Sequence, residues 1–173
     1  MDSRDYFIIA CLILAGTVLR FFLVLFNEPI TPNILVAFYG LAIMVVGLSF
    51  GQSLILGFLS GSIMALISQS IFNPAFLLSE PVGAVVCLGV FLSLPPSPRR
   101  AGFAVFLATL ASGIVFSAIG LSLGQIPVAD HLHDQLVGFL SLFLIVILIT
   151  SAINGTISGL LYPKVRNFRN ATR

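Results

Sequence analysis

Long apolar runs dominate the chain, and short polar or proline-bearing segments separate them. The runs cover 6–26, 34–50, 53–72, 75–94, 101–124 and 136–162. A helix needs about 20 residues to cross the roughly 30 Å hydrocarbon core of a bilayer, and these runs have that scale. Barrel strands would be about 10 residues long and alternate in polarity, so the runs predict helices. Asn27-Glu28-Pro29 and Pro32-Asn33 end the first run, and Gly51-Gln52 reads as a tight connection after the second. Asn73-Pro74 breaks the third. Pro95-Pro96-Ser97-Pro98-Arg99-Arg100 is a loop, because three prolines within four residues cannot continue a helix. The longest polar connection is 125–135. The expected fold is therefore all-α and integral to the membrane. It is a bundle of six transmembrane helices over 1–163, followed by a basic tail over 164–173.

Within the fourth run, Ser79-Glu80-Pro81 has the form of a helix start, with serine as N-cap and proline at the first helical position. The fourth helix is thus expected to begin near Pro81. Residues 76–79 would then form a loop tucked back into the bundle, tolerated at membrane depth where it lines a cavity.

Composition supports the same reading. Of 173 residues, 58% are hydrophobic and only 8% charged, against roughly 45–50% and about 25% in soluble domains. Such a chain cannot cover a water-facing surface, and its loops leave no room for a soluble catalytic domain. Cys11 and Cys87 both fall inside apolar runs, so no disulfide framework is implied. Ile8-Ile9-Ala10-Cys11 resembles a lipoprotein cleavage box. Only residues 6–10 would precede it as an apolar region, against the roughly 7–15 that a signal requires. The first run is read as a resident span.

Charge gives the orientation. Arg4, Arg99, Arg100, Lys164, Arg166, Arg169 and Arg173 share one side of the predicted bundle. The loops of the other side hold Glu28, Asp130 and Asp134 and no lysine or arginine. The positive-inside rule places the basic side, with both termini, in the cytoplasm of a prokaryotic plasma membrane.

Two charges lie inside the spans. Arg20 is 14 residues beyond Tyr6, about 21 Å of helix rise, in the outer half. Glu80 falls at a similar depth. A charge within a span is costly and marks either function or a structural pair. Arg20 either snorkels to the headgroups, pairs with Glu80, or contacts a solute. Other polar residues also gather toward the outer side, among them Asn33, Tyr39, Gln69 and Asn73. That distribution describes a pocket open to the outside and closed below, not a channel. Asn154 in the last run either reaches the pocket floor or only bonds a neighbouring helix. In Asp130-His131-Leu132-His133-Asp134 no regular structure gathers all four polar groups, so a solvated outer loop is expected there and no metal. The stripes Gly57-x-x-x-Gly61-x-x-x-Ala65 and Gly155-x-x-x-Gly159 permit close helix approach. They serve either internal packing or a partner.

The chain resembles the substrate-binding S components of energy-coupling factor (ECF) vitamin transporters. The resemblance rests on about six spans, the Pro32-Asn33 entry to the second span, the glycine-rich segment Gly51 to Gly61, and the ending Asn154-Gly-Thr-Ile-Ser-Gly-Leu-Leu-Tyr-Pro163. The family's Ala-x-x-x-Ala docking motif in span one has only Cys11-x-x-x-Ala15 as its counterpart. The resemblance implies capture of a small, water-soluble nutrient in the outer half of the bilayer. It also implies uptake powered by two partner ATPases and a transmembrane coupling subunit, with the binding subunit toppling in the membrane. Arg20 would meet a carboxylate, Glu80 a ring N–H or amine, and Tyr39 or Phe76 would stack on a ring. Asn73 and Asn154 complete the candidate set. Two other readings fit the same pattern: a scaffold such as the MreD-type membrane subunit of the bacterial cell-shape machinery, and a solitary secondary transporter. No Walker A loop, Gly-x-Ser-x-Gly or His-Glu-x-x-His occurs. No enzyme activity, cofactor or nucleic-acid partner is expected.

Overall fold

A computed structural model describes residues 1–25, 32–68, 73–97, 99–122 and 132–171, with the side chains of 132–140 excepted. Six α-helices follow one another: α1 (Ser3–Val24), α2 (Leu35–Val46), α3 (Phe50–Ile67), α4 (Phe76–Ser93), α5 (Arg100–Ser122) and α6 (Leu132–Ala171). A 3-10 turn, Asn73–Ala75, leads into α4. The described residues include no strand. Five of the helices are long and apolar enough to cross a membrane, and α2 is the short exception.

The brevity of α2 corrects the reading of a second span over 34–50. Gly47 adopts the left-handed conformation, with φ 72° and ψ 51°. The N–H groups of Gly47 and Leu48 both turn back to the Ile43 carbonyl, at 3.0 and 3.1 Å. This is the usual way a glycine ends a helix. Two residues on, Ser49 caps α3. Its backbone N–H donates to Gln52 Oε1 at 2.9 Å, and the Gln52 N–H donates to Ser49 Oγ at 3.4 Å. This capping box satisfies two otherwise orphaned donors. The turn is therefore Gly47–Ser49, and Gly51 and Gln52 belong to the first turn of α3.

At 12 residues, α2 is about 18 Å long. It packs against each of the other five helices, and every residue but Phe38 is buried. Around this central rod, α3 with α4 and α5 with α6 form close antiparallel pairs. The small-residue stripes make them, and both are used internally. A Cβ on Gly57 would stand 2.6 Å from Pro81 Cα, and one on Gly61 would collide with the Phe76 carbonyl. Gly102 and Gly155 hold α5 and α6 together in the same way, each facing the other's carbonyl oxygen.

That packing also explains why the fourth helix does not start at Pro81. α4 begins at Phe76, with Pro81 inside it. Pro81 lies in the second turn of α4, where its missing N–H leaves the Leu77 carbonyl without the usual helical bond. Gly57 and Gly61 meanwhile seat this segment directly on α3. Residues 76–79 are helix, and Ser79 is a buried helical residue. Similarly, α6 runs through Pro163 to Ala171, so the basic stretch 164–171 continues the helix rather than leaving it.

Arg169 ties together one end of the bundle. Arg169 near the end of α6 donates from Nε to Asp5 Oδ1 of α1 at 2.9 Å, and Nη2 approaches the same oxygen at 2.9 Å. Its Nη1 donates to the Val45 carbonyl at the C-terminus of α2, at 2.6 Å. The chain's two ends therefore meet at the same end of the bundle. Arg169→Ala leaves a shielded carboxylate and a helix-end carbonyl without this donor. It is expected to lower stability by about 1–3 kcal/mol, read as a drop in melting temperature of the purified protein in detergent. Asp5→Ala added to it should cost less than its separate effect, since both act on one bridge.

Candidate binding site

The buried face of α1 is a stripe of Asp5, Ile8, Leu12, Gly16, Arg20 and Val24, spaced at three to four residues as one face of a helix requires. Arg20 therefore points into the bundle. It is 3% exposed and donates from Nη1 to the Pro32 carbonyl at 3.0 Å. The snorkelling alternative does not hold.

The Pro32 contact brings Arg20 to the segment that enters α2. Asn33, just before α2, donates from Nδ2 to Glu80 Oε1 at 2.7 Å. Ser112 of α5 donates to the same oxygen at 2.9 Å. Glu80 lies on the buried face of α4, one turn beyond Phe76, and is wholly inaccessible. Arg20 is near enough for its charge to act on Glu80, yet the two close no ion pair; their direct partners are the groups just named. The simple structural pair, one of the three readings of Arg20, is absent.

Asn154, also fully buried, donates from Nδ2 to the Asn33 carbonyl at 2.8 Å and to Thr109 Oγ1 at 3.1 Å. It bonds a neighbouring helix, as one reading of this residue has it, and joins the Glu80 cluster through the Asn33 backbone. Tyr39 is buried completely. Its hydroxyl lies against Gly83, where a Cβ would stand 2.5 Å away, and beside the Glu80 carboxylate. It closes no hydrogen bond of ordinary geometry. Only a glycine at position 83 leaves room for it.

Arg20, Tyr39, Glu80 and Asn154 thus converge, carried by α1, α2, α4 and α6. Phe76 and Asn73 are committed otherwise. The Phe76 ring packs on Phe116 of α5, with centroids 4.6 Å apart. Asn73 Nδ2 donates to the Ser68 carbonyl at 3.0 Å and braces the connection between α3 and α4. The cluster also includes three residues the candidate set lacks: Asn33, Thr109 and Ser112. The signal for the α5 pair was their spacing of three within an apolar run, which puts both hydroxyls on one helix face.

Several polar atoms in this centre are buried without a partner: Arg20 Nε, Asn33 Oδ1, Tyr39 Oη, Glu80 Oε2 and Asn154 Oδ1. Each such group costs about 1–3 kcal/mol. Folded proteins carry only a few per hundred residues, so five in one place call for an explanation beyond packing. Among the described residues no three of His, Cys, Asp and Glu come together as metal ligands. Asp130 and His131, expected from the sequence to belong to a solvated loop, lie outside the described residues, as do the side chains of His133 and Asp134. No protein-family model matches this chain, no curated protein is similar to it, and no solved structure matches its fold.

Proposed function

We propose that this protein is the membrane-embedded substrate-binding subunit of an ECF-type importer, capturing a small water-soluble nutrient. The observation that carries the reading is the buried polar centre. Five helices and the entry to α2 direct charged, amide and hydroxyl groups into one place inside an otherwise apolar bundle. Several of these groups have hydrogen-bonding capacity left over. A scaffold that only docks partners has no use for such a centre, because an apolar core would stabilise it as well or better. A small solute bound there would occupy the spare donors and acceptors and be shielded from lipid.

In this proposal the end of the bundle bearing Asp5 and Arg169 faces the cytoplasm of a prokaryotic cell, in keeping with the lysine and arginine bias. ATP hydrolysis belongs to two partner ATPases, joined through a transmembrane coupling subunit. The test is native mass spectrometry of the protein extracted gently from its own host. A nutrient-sized mass should accompany the chain, with the coupling and ATPase subunits in milder extracts. A chain that carries no solute but holds a membrane partner without ATPases would overturn the reading.

A further inference from the structure

The unpartnered atoms at the buried centre are not a random mixture. The Asn33 amide is oriented by its Nδ2 donation to Glu80, and the Asn154 amide by its donations to Asn33 and Thr109. Turning either amide over would set oxygen against oxygen. Their Oδ1 atoms are therefore acceptors by the logic of the network. With Glu80 Oε2 they make three unpartnered sp² oxygens, on residues joined by two hydrogen bonds, from Asn33 Nδ2 to Glu80 Oε1 and from Asn154 Nδ2 to the Asn33 backbone carbonyl. Against them stands one unpartnered N–H, on Arg20 Nε. The Tyr39 hydroxyl can serve either way.

We infer that the solute presents a nitrogen group with two or more N–H donors to Asn33 Oδ1, Glu80 Oε2 and Asn154 Oδ1. This rests on the proposal that the centre binds a solute, and it adds the chemical class. A carboxylate placed here would meet three acceptors and a like charge. A hydroxyl brings one donor to three oxygens. A primary ammonium brings three donors and a carboxamide two, which is what the oxygens require. Arg20 Nε remains for an acceptor elsewhere on the same solute.

Four probes sharing one ring separate these chemistries: benzylammonium, benzamide, benzyl alcohol and benzoate. They are titrated against the purified full-length protein in detergent by calorimetry in sodium-free buffer. Benzylammonium or benzamide is expected to bind at least tenfold more tightly than benzyl alcohol and benzoate. Tight benzylammonium with weak benzamide assigns a charged head, and the reverse a neutral one. Glu80→Gln should cut that preference at least tenfold, weakening the nitrogen probes and relieving the rejection of benzoate. A purely structural role for Glu80 would move all four alike and so overturn the assignment. Equal or tighter binding of benzoate or benzyl alcohol also overturns it. So does the absence of binding by all four, or displacement of the nitrogen probes by sodium chloride. A co-purified solute lacking N–H groups would sink this inference and leave the importer proposal standing. A chain that carries no solute from its host sinks the proposal itself.

Discussion

Gly61→Ala is expected to destabilise the protein by about 3 kcal/mol, near the upper end for an overpacked contact, whereas Gly89→Ala is expected to stabilise it by up to about 1 kcal/mol. The substitution is the same and both positions are helical. The difference is what the new methyl group meets. At Gly61 it enters the Phe76 carbonyl, with the carbonyl carbon 3.0 Å away and Leu77 Cα at 3.3 Å. Those are backbone atoms of α4, so no side-chain rotation relieves the clash. The two helices must part along the contact that seats Phe76 to Pro81. At Gly89 nothing lies within 4 Å, and only the preference of alanine for the helix is left. Thermal unfolding of the two purified variants in one detergent decides the matter. Equal and small effects would show that α3 and α4 are not packed backbone to backbone.

The second large effect concerns Glu80. Removing its carboxylate in Glu80→Ala strands the Asn33 amide and the Ser112 hydroxyl, both of which donate to Oε1. A buried donor left without an acceptor costs about 1–3 kcal/mol, so a loss of about 2–6 kcal/mol is expected for the pair. Glu80→Gln keeps a carbonyl oxygen for them and should lose less than about 1 kcal/mol. Melting curves of the two variants measure this directly. If Glu80→Ala melts with the unmodified protein, Glu80 does not organise the entry to α2.

Much of the helical framework was legible because it depends on composition over long windows. Apolar runs of membrane length became helices, and glycine stripes became close contacts, since few other arrangements suit them. Arg20, Glu80 and Asn154 stood out as polar groups in apolar surroundings, and the structure does gather them. What was hidden depends on single residues whose meaning is set by neighbours in space. Gly47 and Ser49 sit inside a continuous apolar run, so the end of α2 does not show in its hydropathy. Ser79-Glu80-Pro81 carries a true cap signal, but the docking of α4 on two glycines of α3 overrides it. Thr109 looks like many hydroxyls in apolar helices, which bond their own backbone. It does so here, with the Val105 carbonyl at 2.9 Å, and nothing local marks that it also receives Asn154. Asn33 is visible as polar, but its role needs α4 and α6 in place.

The central position of α2 bears on how the chain is assembled in the cell. About 18 Å of helix cannot anchor itself across a hydrocarbon layer of roughly 30 Å. An insertion machine releasing segments one by one into lipid would find nothing stable to release here. The Asn33, Ala37 and Val45 carbonyls accept from Asn154, Ser158 and Arg169, all on the helix synthesised last. Until translation reaches that helix, these three carbonyls lack their side-chain donors. The side-chain ties from α6 to α2 and its entry can thus form only after the other five helices have been synthesised.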